Sequence, residues 1–255
     1  MPYLRELYHW FSINAPFETQ EDWDNAGLMV GDQEAEMKGI YIDMDLTLET
    51  IQKAKENGCN IILTHHPFFF GSIKSLDFQT GKGAIVKELI EEKMHVIAAH
   101  TNWDVADRGV NYALTAKLGM KNARPLEDTI GWIADGEGKP LHKWLSTIAN
   151  TLDVEPRYSG SPYQRVEKIL VCGGGGGHLV DFAHQYDAQL VLTGESKHHQ
   201  SLLGEEGVCL VEIGHYESEY PGLVTLKEEL VQDFSIPIVV ADDTPTLKTW
   251  KGEVE

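Results

Sequence analysis

Short apolar runs of strand length alternate along the chain with segments of helical period. Ile40-Tyr41-Ile42 is followed by a helical pattern over Leu48–Glu56, then Ile61-Ile62-Leu63, a second helical pattern over 84–92, and Val96-Ile97-Ala98-Ala99. Fully apolar runs separated by helices predict parallel strands buried on both faces, a βαβαβ unit. After a helical stretch around 144–151 the alternation resumes, with Ile169-Leu170-Val171, a helix over 179–186, Leu190-Val191-Leu192, a short helix over 201–206 and a last strand over 208–213. The two stretches share one register. Setting Thr64 over Thr193 gives an offset of 129, which also places Ile40 over Ile169, Ala54 over Ala183 and Leu63 over Leu192. The pattern therefore predicts an α/β fold built by internal duplication, with halves 1–125 and 126–255. The best connection is 123–139, rich in Gly and acids, though its Ile130, Trp132 and Ile133 call for packing.

Composition adds a core and removes partners. With 42% hydrophobic and 24% charged residues over 255 positions, the chain is ordinary globular material. Its 21 Lys+Arg stand against 40 Asp+Glu, a formal charge of −19, which argues against nucleic acid and anionic membranes. No run approaches the ~18 apolar residues that span a bilayer. The start, Met1-Pro2-Tyr3-Leu4-Arg5-Glu6, carries a charge pair where a signal peptide needs an apolar stretch. Cys59, Cys172 and Cys209 lie in apolar runs without C-x-x-C spacing, as buried thiols in a reducing cytosol do. A cytoplasmic protein is expected.

The chemistry gathers at strand ends, where open α/β sheets collect ligands. His65 and His66 leave the Ile61–Leu63 strand before Pro67; His100 and Asp104 follow the next; Glu195 and His198-His199 follow Leu190–Leu192; His215 and Glu219 follow the last. If a helix starts at once after Gly214, His215 and Glu219 lie i, i+4 on one face and reach the same ion. Adjacent His65 and His66 point to opposite sides of an extended backbone, which suits two neighbouring metals, with Asp104 able to bridge them. Three imidazoles and two carboxylates favour Zn, Fe or Mn over an all-oxygen Ca or Mg site. His9, His95, His142, His178 and His184 lack strand-end placement and read as solvated or packing residues. Gly173–Gly177 opens a helix after a strand and serves either as an anion cradle or as a turn that lets backbone pass close to another strand. The stretch from Trp23 to Gly31 reads as a lead-in loop and an edge strand, and Phe68-Phe69-Phe70 as pocket lining or packing.

Five motifs in order, Asp24-Asn25-Ala26-Gly27-Leu28, Thr64-His65-His66-Pro67, His100-Thr101-Asn102-Trp103-Asp104, Thr193-Gly194-Glu195 with His198, and Gly214-His215-Tyr216-Glu217-Ser218-Glu219, resemble the Nif-three-like family, often labelled GTP cyclohydrolase 1 type 2 homolog. The resemblance implies two intertwined, duplicated α/β halves with mixed, largely parallel sheets and no inserted middle domain. It also implies a dinuclear centre at His65, His66, Asp104, His215 and Glu219, with His100 and His198 lining the site without being usual ligands, and a ring-shaped homohexamer whose metal pairs face an inner cavity. A metal pair holds a bridging water and makes hydroxide available near neutral pH. The expected activity is therefore hydrolysis of a small cyclic amide, a purine nucleotide or a phosphoester, with Glu195 or His198 shuttling protons. The rival is a metal-binding protein without catalysis, a store, chaperone or regulator.

Overall fold

The structure is a computed structural model and describes residues 1–127 and 129–242. Its first half runs α1 (Leu4–Asn14), β1 (Gly27–Val30), β2 (Ile40–Asp43), α2 (Leu48–Glu56), β3 (Ile61–Thr64), α3 (Gly81–Glu91), β4 (His95–Ala98), α4 (Thr101–Asp104) and α5 (Val110–Lys117). It continues through β5 (Lys121–Pro125), β6 (Trp132–Pro140), α6 (Leu141–Leu152), β7 (Arg157–Tyr158), β8 (Arg165–Cys172), β9 (Leu190–Thr193), β10 (Cys209–Glu212), α7 (His215–Asp233) and β11 (Ile238–Val240). Two mixed sheets result. One has the order β1-β4-β3-β2-β11 and the other β5-β6-β8-β9-β10-β7.

Alternation of side chains decides how the sheets are covered. In the first sheet Ile40, Ile42, Ile61, Leu63 and Ile97 pack beneath α1 and α7, while Tyr41, Ile62 and Val96 pack against α2 and α3. In the second, Ile169, Val171, Leu190 and Leu192 face α5 and α6, while Leu170 and Val191 face the 3₁₀ helix Gly176–Phe182. Both faces of β2, β3 and β9 are thus buried along their whole length, which is why these strands read as continuous apolar runs. Helix α1 supplies Leu4, Leu7 and Phe11 at helical spacing, and α2 is capped by Thr47, whose hydroxyl accepts from the Thr50 amide at 3.0 Å.

The duplication is visible in the hydrogen-bond ladder. Ile40 pairs Ile61 and Asp43 pairs Thr64, and 129 positions later Ile169 pairs Leu190 and Cys172 pairs Thr193. The third strands break the offset: His95 pairs Ile61, whereas Cys209, 114 positions on, pairs Leu190. The halves interlock, because β11 from the second half pairs parallel with β2 of the first. Where a connection was expected over 123–139, the chain forms the antiparallel pair β5 and β6, and β6 then pairs β8. The two expected helices of the second half are 3₁₀ helices, Gly176–Phe182 and His198–Glu206, the first opening on the glycine run. Among the described residues no helix is long and apolar enough to cross a membrane, and the three cysteines are free and buried.

Candidate metal centre

Strand β3 ends at Thr64, whose hydroxyl donates to the His66 carbonyl at 2.8 Å and turns the chain. Backbone amides of His65 and His66 still follow β2, donating to Asp43 and Met44 carbonyls at 3.0 Å each. The turn sends the two imidazoles toward the ends of β4 and β10. There His100 leads into α4, which carries Asp104, and Gly214 (φ 98°) admits the sharp entry to α7, whose first residue is His215 and whose fifth is Glu219. Trp103 holds the two helices together, its indole N–H donating to the Gly222 carbonyl at 2.9 Å.

Donor atoms converge on one spot. Nε2 of His65 lies 3.6 Å from Asp104 Oδ1 and 3.6 Å from Glu219 Oε1. Nε2 of His66 lies 3.2 Å from Glu219 Oε2, Nε2 of His215 lies 3.2 Å from Glu219 Oε1, and the two imidazole nitrogens are 3.3 Å apart. Ligand atoms of His66, His215 and Glu219 form one group within 4.8 Å, and those of His65, His66 and His100 form another.

The partners behind the rings fix their tautomers. His65 Nδ1 donates to the Ala99 carbonyl at 2.9 Å, His66 Nδ1 to Asp45 at 2.9 Å and His100 Nδ1 to Asp24 at 2.8 Å. Carbonyls and carboxylates only accept, so each ring in its neutral form carries its hydrogen on Nδ1 and offers an Nε2 lone pair. Carboxylates or carbonyls behind the outer nitrogen are the arrangement that orients metal-binding histidines. His65 Nε2, Asp104 Oδ1 and Glu219 Oε2 are buried without a hydrogen-bond partner. Orphaned polar atoms within one donor group cost free energy, and divalent cations bound among these donors would relieve them. The set of imidazole and carboxylate donors fits zinc, iron or manganese.

Without an ion, protons hold the charges together. Burial pushes Asp104 up to about 7, against the pull of His65. Burial works against ionised Glu219 too, but His65, His215 and His66 hold it well below the usual carboxylate range. Burial disfavours charged His66, yet Asp45 and Glu219 push it up to about 10. Asp24 resists burial through His100 and Thr101, which hold it down to about 2.

The donors open onto a cleft of about 890 Å³ lined by His66, His100, Asp104, His215 and Glu219 and walled by aromatic rings. Trp23 and Phe70 stand edge-on to His100, each ring 5.7 Å away. The glycine run closes one wall. At Gly174 (φ +58°) a Cβ would lie 2.1 Å from Glu219 Oε1 and 3.2 Å from His215 Nε2, so backbone occupies the space beside the donors. That is the close-approach reading of the run.

Not every expected residue lies in the group. Glu195 is exposed and sits behind His215, its Oε1 3.4 Å from Nδ1. His198 and His199 are exposed in a 3₁₀ helix away from the cleft lining. Asp24 and Asp45 also belong to the site, and His178, expected to be a solvated or packing residue, instead lines the cleft and pairs with Thr129 Oγ1 at 3.0 Å. The Asp24-Asn25-Ala26-Gly27 motif was the available clue to the first.

The family model described as Duf34/NIF3 (NGG1p interacting factor 3) matches residues 2–246. A relative from Clostridium perfringens named "GTP cyclohydrolase 1 type 2 homolog" is 32% identical over 252 residues, covering 94% of this chain and 96% of its own length. One of the same name from Campylobacter jejuni is 31% identical over 217 residues, covering 85% and 87%. Among solved structures, Staphylococcus aureus hypothetical protein SA1388 superposes with a TM-score of 0.90 at 27% identity, covering 97% of this chain and 99% of that one. Reduced HcgD from Methanocaldococcus jannaschii gives 0.81 at 28% identity, covering 95% and 98%. A match along almost the whole sequence, with the same two-sheet fold in solved relatives, means that this chain belongs to the DUF34/NIF3 family.

Proposed function

We propose that the chain is a dinuclear metal-dependent, hydrolase-like protein acting on a small cyclic amide, a purine nucleotide or a phosphoester. The observation that supports this best is the convergence of three partnerless buried atoms, on His65, Asp104 and Glu219, at the head of an open cleft. In this reading His65 and Asp104 hold one ion, His66 and His215 the other, and Glu219 serves both. Two divalent ions, when bound, supply Lewis acidity and lower the pKa of water toward neutrality. The chain's own groups orient and exclude. Ala99 and Asp45 fix the imidazoles, Trp23 and Phe70 shield the cleft mouth, and Glu195, 3.4 Å behind His215 Nδ1, is placed to orient that ring and to shuttle protons at the cleft. His198 stands apart from these groups and takes no part in this version of the mechanism.

The rival reading, a metal store, chaperone or regulator, expects a site closed by protein ligands, whereas His66 and His215 face the cleft. Ring opening of a purine nucleotide draws additional support only from the relatives' name. The test is metal content after purification without added metal, followed by assay of the loaded protein against GTP, cyclic amides and phosphoesters. Two ions per chain and a His65→Ala variant without turnover are expected; full turnover in that variant refutes the mechanism. The assembly proposed is a cytoplasmic ring-shaped homohexamer, supported by Phe70, Ile73, Leu76 and Phe78, which leave large apolar surface exposed along one segment. Light scattering at six chain masses checks it.

A further inference from the structure

We propose that His100 is a further metal donor, that it serves the ion on the His65 side, and that Asp24 is the residue that positions it. The inference rests on the dinuclear reading above and adds a donor outside the five residues that the family resemblance implies.

The support comes first from orientation. Asp24 is a carboxylate whose side chain is fully buried. One oxygen accepts from His100 Nδ1 at 2.8 Å and from the Asn25 amide at 2.7 Å; the other accepts from the Thr101 amide at 3.0 Å and the Thr101 hydroxyl. Four donors immobilise the carboxylate, so the His100 ring is fixed with its Nε2 lone pair outward. That is the state in which Ala99 holds His65 and Asp45 holds His66. Among the described residues the ring's hydrogen bond is the one to Asp24, which leaves the Nε2 lone pair facing the cleft.

Position agrees with orientation. The His100 ring centroid lies 5.1 Å from that of His65 and 5.5 Å from that of His66, against 5.2 Å for both His65–His66 and His66–His215. His100 therefore stands to its neighbours as the other imidazoles stand to theirs. The duplication agrees as well. After β4 the chain reads His100 with Asp104 four residues on, and after β10 it reads His215 with Glu219 four residues on. Both acids face His65 Nε2 at 3.6 Å. If His215 donates beside its acid, His100 is its counterpart beside the other.

The consequence is two unlike ions. On the His65 side, His65, His100, Asp104 and Glu219 make four protein donors, none with a side chain more than 10% exposed. On the other, His66 and His215 share Glu219, and their side chains are 18% and 37% exposed. Four-ligand sites are closed and retentive, while three-ligand sites keep an open position. One ion is held and the other exchanges.

The test uses the full chain loaded with zinc and then mixed with excess chelator, zinc release being followed by an indicator. The wild type is expected to lose one ion per chain quickly and one slowly. His100→Gln and Asp24→Ala should each speed the slow phase at least roughly tenfold and leave the fast phase unchanged, since removing even an outer partner typically costs 10–100-fold in metal affinity. A second measurement needs no variant. The cobalt-loaded wild type should show four hyperfine-shifted imidazole N–H resonances by proton NMR, from His65, His66, His100 and His215. Three resonances, or a slow phase unaltered in His100→Gln, overturn the proposal while leaving the dinuclear centre standing. A wild-type chain that takes up no metal overturns the dinuclear reading itself.

Discussion

Replacing Gly174 by alanine tests the claim that bare backbone makes room for the donors. The residue sits at φ +58°, where a side chain costs roughly 1–2 kcal/mol. That cost alone lowers the melting temperature of a chain this size by roughly 2–8 °C. The second effect is local. The new Cβ would stand 2.1 Å from Glu219 Oε1, so the oxygen must retreat by about 0.9 Å to reach the 3.0 Å floor of real contacts. Glu219 has nowhere near at hand to go, being 3% exposed and surrounded by His65, His66 and His215. Metal sites tolerate errors of only ~0.2 Å in ligand distance, so a displaced Glu219 is a lost ligand for both ions. Affinity should fall for both by more than the roughly 10–100-fold typical of an outer partner. Gly175→Ala is the control, since its Cβ would have no neighbour closer than 4.0 Å. Equilibrium dialysis with elemental analysis reads the affinity and calorimetry reads the stability. Two ions bound at wild-type affinity by Gly174→Ala would refute the argument.

Other outcomes follow from the same geometry. Asp45→Asn removes the carboxylate behind His66 and should weaken metal binding by roughly 10–100-fold, read by chelator competition. Metal uptake at pH 7 should release protons and tighten as pH rises, because His65, His66 and His215 are all held above the ordinary histidine value and must give up their protons to ligate; titration calorimetry in two buffers of different ionisation enthalpy counts them. In the metal-free chain the His66 contribution to stability should be complete below about pH 6.5 and lost as pH rises through about 10, which a series of thermal melts would show. Trp103→Ala should cost about 3–5 kcal/mol by denaturant titration and also weaken metal binding, since this buried ring ties the helix of Asp104 to the helix of Glu219.

The parallel strands and the residues at their ends were legible because strands buried on both faces read as unbroken apolar runs and because the chain leaves each of them with a polar group. Ile40, Ile61 and Val96, and their counterparts Ile169 and Leu190, fall in strands as their pattern requires. The pair β5 and β6 was hidden by its own polarity: Lys121–Pro125 is largely exposed, and Trp132–Pro140 turns polar past Ala134. Helix α7 is longer than any local signal suggests, running through Pro221 to Asp233. In the site, Asp45 was deducible in hindsight, since Asp43 pairs Thr64 and two more residues on each strand bring Asp45 beside His66. Asp24 follows from no periodicity, because it meets His100 across 76 positions of sequence through a loop, and only its motif pointed to it.

The shared strand register carries a meaning beyond common descent. Extended two residues past the paired strands, the 129-residue correspondence sets Asp45 over Gly174 and His66 over Glu195. At one end the position bears a carboxylate that steadies an imidazole; at the other it must be bare for Glu219 to lie where it does. One residue cannot meet both demands. A symmetric pair of identical half-chains would have to choose between the orienting acid and the empty space, and either choice would leave the donor group unfinished. Within one polypeptide the two ends can differ, and here they do: Asp45 stands at one and Gly174 at the other.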